Sequence, residues 1–164
     1  MEILGIALFL FGIAFFVFGL ACLGKGPLKE AGVIFTLVGS INAILSLYLI
    51  SQPGLQFPGG LGIFFSLAFL VAGWNCLKEY GLVPFGNMAL FGAIWVALYS
   101  MTFWGQGAIV FGLATALWVW ALVAAFLLAY GKISIKVVGW TFLIEAFITL
   151  LYPAWFLLTK LPLP

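Results

Sequence analysis

Histidine is absent from the 164 residues, and the only cysteines are Cys22 and Cys76. Neither a disulfide framework nor a Cys/His metal site can be assembled from them. Charge is nearly as scarce: six Lys or Arg and four Asp or Glu, 6% of the chain, with a net charge of +2. No basic stripe exists to follow a phosphate backbone, so no nucleic-acid partner is expected. A soluble domain is about 45–50% apolar and about 25% charged, whereas here 66% of residues are hydrophobic and the mean hydropathy is +1.34. A water-exposed fold of this composition could not cover its own surface with polar side chains. That excludes a soluble enzyme and a disordered segment. Catalysis is not expected either, since no histidine base is present and neither cysteine has a base near it in sequence. No cofactor is expected.

What remains is an all-α integral membrane protein. A membrane helix needs roughly 20 mostly apolar residues, so the chain has room for about six. Breakers separate six such runs at 25–30, 51–60, 78–84, 104–107 and 131–136, with a final one at 160–164. The expected spans are 3–24, 28–51, 60–78, 84–103, 106–130 and 135–159, forming one channel-sized domain over 1–164. A membrane barrel would instead alternate apolar and polar residues over segments of about ten. The first run opens on Glu2 without Lys or Arg. At about 20 residues it exceeds the usual apolar core of a signal peptide, so it reads as a retained helix. Lys25, Lys29, Lys78, Lys132 and Lys136 all follow odd-numbered runs, and only Lys160 dissents. The positive-inside rule then places those loops in the cytoplasm and both termini outside. Gly19-Leu-Ala-Cys22-Leu23 recurs as Gly73-Trp-Asn-Cys76-Leu77. Three tandem hairpins related as parallel repeats would produce this, and so would small residues that simply recur at helix ends.

Ionisable groups inside a span cost about 2.5–3.5 kcal/mol on insertion scales and point to function by default. Glu145 is the one acid near a span centre, with Thr141 and Thr149 four residues to either side and Tyr152 beyond. On a regular helix these four share a stripe. It reads as the wall of a solute path, or as packing glue between helices. Asn42 and Ser46 form an i, i+4 pair on the second run, and Ser40, Ser66 and Asn75 complete the intramembrane polar set. Each of these has a plain reading as a partner for a backbone group.

Aromatics make up 18% of the chain. Trp104, Tyr80 and Trp155 suit interfacial belts, but Trp95, Trp118 and Trp120 fall within spans. Trp118 and Trp120 lie about 200° apart around a helix, so at most one faces a pore. Phe65 and Phe69 share a face of the third run.

Three stretches resemble the urea/amide channel family, which takes in acid-gated urea channels and the amide-transport proteins of amidase operons. The tail from Ile144-Glu145 to Tyr152-Pro153-Ala154-Trp155 resembles its last helix, Leu4-Gly5 through Gly12 to Gly19 its first, and Phe69 to Asn75 its third. The resemblance implies six spans, a homo-hexamer with a pore in each protomer, and a bacterial or archaeal cytoplasmic membrane. It implies a pore glutamate at Glu145, pore-facing leucines at Leu4 and Leu8, and pore aromatics at Phe65 and Phe69. The family's Trp-x2-Trp-x3-Trp ladder on helix five is reduced to Trp118, with Thr115 and Leu122 in place of its neighbours. A filter missing two indoles should be wider or differently shaped. The outer loop between Ser51 and Gly60 is short, and no histidine is available to titrate near pH 6.

The expected function is a passive, ungated channel for small neutral amides, urea or short-chain aliphatic amides. Its path would be lined by Glu145, Trp118, Phe65, Phe69, Leu4, Leu8, Thr141, Thr149 and Tyr152. A proton-coupled transporter could instead use Glu145 as its relay, although no broken helix around a central site is visible in sequence. A membrane scaffold or accessory subunit is the third reading.

Overall fold

The computed structural model describes residues 2–162, which form six membrane-length helical spans. They are α1 (Glu2–Cys22), α2 (Leu28–Ser51), α3 (Gln56–Lys78), α4 (Val83–Gly105), α5 (Ile109–Ala129) and a sixth span, Ile135–Thr159. No strand occurs among the described residues. Two boundaries differ from expectation by more than two residues. α3 starts at Gln56 and not at 60, because Pro58 falls in the first turn, where its missing N–H is not needed. α5 starts at Ile109 and not at 106, because Gly107 turns the chain at φ 71°.

The sixth span is not one regular helix. α6 (Ile135–Glu145) passes into a π-helical segment, Ala146–Leu151, and then into α7 (Tyr152–Thr159). Tyr152 N–H bonds to the carbonyl of Phe147, five residues back. Pro153 supplies the cause: it has no N–H to donate, and its ring would press on the carbonyl of Thr149 in a regular helix. Widening the turn relieves that clash. Such bulges often sit at functional sites.

The six spans pack side by side in chain order, and the sixth closes back on α1. Broad seams (α2 with α3, α4 with α5, the sixth span with α1) alternate with narrow ones (α1 with α2, α3 with α4, α5 with the sixth span). The hairpins α1–α2, α3–α4 and α5–sixth span thus carry the narrow seams, and the broad ones join each hairpin to the next. Small residues create the broad seams, as is usual where no hydrophobic force drives helices together. Gly5, Gly12 and Gly19 line the α1 face that meets Leu157, Ala146 and Gly139 of the sixth span. Gly32 meets Gly73 and Cys76 across α2 and α3 so closely that an added Cβ would lie 2.9 Å from the Gly73 carbonyl oxygen. The recurring Gly/Cys motif thus marks two equivalent seams: Gly19 and Cys22 against Gly139, and Gly73 and Cys76 against Gly32.

Polarity is inverted relative to a soluble protein. Asn42, Ser46, Ser66, Thr115, Thr149 and Glu145 are buried, while Ile44, Phe91, Met101 and Trp155 are among the exposed side chains. An apolar outer surface of this extent needs lipid or other protein against it. The protein is a multi-pass membrane protein.

Candidate functional site

The ring of helices surrounds a cavity of about 320 Å³. The loops after α2 and α4 contribute Gly54, Leu55 and Gln106 to its wall, so it occupies the half of the bundle away from the lysine-bearing loops. α1 presents Leu4, Ala7, Leu8, Phe11 and Phe15 to it, positions spaced three or four apart that form one helix face. α3 presents Leu61, Phe65 and Phe69, α5 presents Phe111, Thr115 and Trp118, and Leu150 comes from the π segment. The wall is almost wholly apolar. Thr115 adds little polarity, because its hydroxyl donates to the Phe111 carbonyl at 2.7 Å.

Toward the middle of the bundle the cavity wall is aromatic. Trp118 meets Phe65 edge-on at 5.2 Å, and Phe11 contacts Phe69 at 4.9 Å and Phe65 at 6.1 Å. The indole is held in place: Trp118 Nε1–H donates to Thr149 Oγ1 at 2.7 Å, and Thr149 Oγ1 donates to the Glu145 carbonyl at 2.8 Å. Glu145 sits one turn nearer the lysine-bearing loops, 2% exposed, and neither carboxylate oxygen has a hydrogen-bond partner. Five phenylalanines, of which Phe15 and Phe69 also line the cavity, close a circuit of ring contacts. Phe15 touches Phe69 (5.5 Å), Phe69 touches Phe35 (4.5 Å), and Phe35 touches Phe18 (4.6 Å). Phe18 touches Phe142 (5.4 Å), which returns to Phe15 (4.5 Å). A hydrated ion cannot shed its water against such side chains.

Residues 3–161 match the sequence profile of the AmiS/UreI family transporters. The chain belongs to the AmiS/UreI family. Its fold is shared with the Helicobacter pylori urea channel, solved by cryo-EM in a closed state. That comparison gives a TM-score of 0.85 at 21% identity over 98% of this chain and 100% of that one. A crystal structure of the urea channel from the same gastric pathogen aligns with a TM-score of 0.80 at 22% identity, over 96% and 98% of the two chains. No match is found among curated protein sequences.

Within this AmiS/UreI transporter, Leu4, Leu8, Phe65, Phe69 and Trp118 are brought together on the cavity wall. Thr149 and Glu145 lie behind Trp118, and Thr141 is buried one turn further along α6. Tyr152 parts from them. It is 44% exposed and packs on Phe156, because the wide π turn carries it out of the stripe that a regular helix would have made. Trp120 faces outward at 47% exposure, so of the two indoles Trp118 is the inner one. Leu122 is buried in the core. The phenylalanine circuit was missed in sequence, because each member alone reads as filler. The signal was there on α1, where Leu4, Leu8, Phe11, Phe15 and Phe18 repeat at helical spacing.

Proposed function

We propose that the protein is a passive channel for small neutral amides, urea or short-chain aliphatic amides, and that it is not acid-gated. The observation that carries this is the apolar cavity within a single chain, walled by aromatic faces, with the unpartnered carboxyl of Glu145 buried behind Trp118. A planar neutral amide slides between aromatic faces and offers N–H groups to an acceptor, while the same faces reject ions. The likeness to urea channels supports this choice of solute. The conducting unit is the whole six-helix chain, 1–164. The resemblance implies six such protomers in a ring in a bacterial or archaeal cytoplasmic membrane, and native mass spectrometry in mild detergent should return the hexamer, not a monomer or dimer.

Uptake of labelled urea and acetamide into proteoliposomes tests the reading. Flux should be equal at pH 5 and pH 8, since no histidine is present to titrate between them. An inward proton gradient should leave its direction unchanged. A several-fold rise on acidification would overturn the ungated channel, with Glu145 the first group to suspect. Flux driven by the gradient would establish a proton-coupled transporter, a reading that the π segment beside Glu145 favours.

The lysine distribution further supports both termini outside. Cysteines introduced at Gly26 or Gly81 should react with an impermeant maleimide from the cytoplasmic side, and those at Gly54 or Gly105 from outside. The reverse pattern would invert the topology.

A further inference from the structure

Most buried hydroxyls in the bundle are spent on backbone carbonyls: Ser66 donates to Gly62, Ser100 to Gly112, Thr115 to Phe111 and Thr149 to Glu145. Ser46 is different. It is 0% exposed, it belongs to the cavity wall, and its Oγ has no hydrogen-bond partner. A buried serine on a helix usually bonds the carbonyl four residues back, here that of Asn42. Ser46 does not, and its hydroxyl rests in the notch left by the missing side chain of Gly62 on α3, another cavity residue. One turn along the same face, Asn42 is also fully buried. Its Nδ2 donates to the carbonyl of Ala7 at 3.2 Å, which fixes the side chain, and its Oδ1 has no partner. Two unpartnered oxygens therefore belong to residues whose Cβ atoms lie about 5–6 Å apart, one of them on a cavity wall that is mostly apolar. Leaving such groups unmet is unfavourable until something supplies the bond.

We propose that the Ser46 hydroxyl, backed by Asn42 Oδ1, is the hydrogen-bonding subsite that receives the amide group of a solute in the cavity. The hydroxyl accepts a solute N–H or donates to its C=O, Asn42 stands one turn behind it off the cavity wall, and the leucine and phenylalanine walls cover whatever apolar group the amide carries. Polyols, whose several hydroxyls need partners on every side, are left unmatched by that wall. The subsite rests on the channel reading above. It makes Ser46 a specificity-determining residue independent of Glu145.

The test compares wild type, Ser46→Ala and Ser46→Cys in proteoliposomes, reading acetamide and glycerol flux, with thermal unfolding in detergent measured in parallel. Loss of one hydrogen bond should lower the acetamide-to-glycerol flux ratio about two- to ten-fold in Ser46→Ala. Ser46→Cys, which keeps the size and a weak donor, should fall between. The unfolding midpoint of Ser46→Ala should hold or rise, since an unmet hydroxyl is removed. A wild-type ratio in Ser46→Ala, beside a conducting wild type, would overturn the subsite and leave the channel standing. A lowered midpoint with an unchanged ratio would make Ser46 packing glue, which also overturns it. No amide flux in wild type would remove the channel reading, and the subsite with it.

Discussion

Replacing Glu145 with leucine should abolish amide flux and leave the protein folded, while Glu145→Gln should fold and conduct at an altered rate. If Glu145 were glue between helices, its carboxyl would have to bond to something, yet neither oxygen has a partner among the described residues. Removing an unmet buried polar group for an apolar one of similar shape is close to neutral or stabilising. The glue role predicts the opposite, a loss of the roughly 1 kcal/mol that interhelical hydrogen bonds contribute in membranes. Glutamine keeps the size and an acceptor oxygen while removing ionisation, so it separates hydrogen bonding from charge. Flux in liposomes and unfolding in detergent, measured on both variants, divide the possibilities. Wild-type flux through a folded Glu145→Leu protein would show that the Thr141–Glu145–Thr149 face does not line the path.

Gly73→Val should cause the largest loss of stability of any single change at the α2–α3 seam. A Cβ at Gly73 would stand 2.8 Å from both the Gly32 carbonyl oxygen and the Thr36 backbone nitrogen, and would collide with the Thr36 hydroxyl. Two of those atoms are backbone and cannot swing away, so the helices must separate. Overpacking typically costs 1–3 kcal/mol and occasionally more. For a chain of this size that lowers the midpoint by about 2–12 °C. Gly81→Val is the control, because nothing lies within 4 Å of a Cβ placed in that turn. Equal midpoints for the two variants would show that the seam is looser than its geometry.

Composition alone was enough to indicate a membrane protein, because a soluble fold of this composition could not cover its surface with polar side chains, and length and breakers then indicated six helices. Helix ends were legible wherever a breaker acts as a breaker. They were misread where proline starts a helix, as Pro58 does, because the same residue ends helices elsewhere. The stripe through Glu145 and Thr149 was visible by counting fours. Tyr152 was misplaced because the count assumes a constant pitch, and Pro153 changes the pitch from a position beyond the stripe. The glycines of α1 stood out in sequence, but their partners did not: Gly139 is remote in the chain, and nothing local says that the sixth span returns to α1. Beyond its α1 members, the phenylalanine circuit is illegible for the same reason. Its members come from four different helices, and only packing joins them.

The alternation of broad and narrow seams has a consequence for the order in which a nascent chain can mature. α2 and α4 each receive their broad partner as soon as the next helix is made, but α1 waits for the last one. Its face of Gly5, Gly12 and Gly19 has nothing to close against until Ile135–Thr159 leaves the ribosome. That closure joins the two extremes of the sequence, the slowest kind of contact to form. It is also the step that adds Leu150 to the cavity wall and Phe142 to the phenylalanine circuit. A partly synthesised chain therefore has helices in the bilayer but an incomplete cavity wall until the final helix docks.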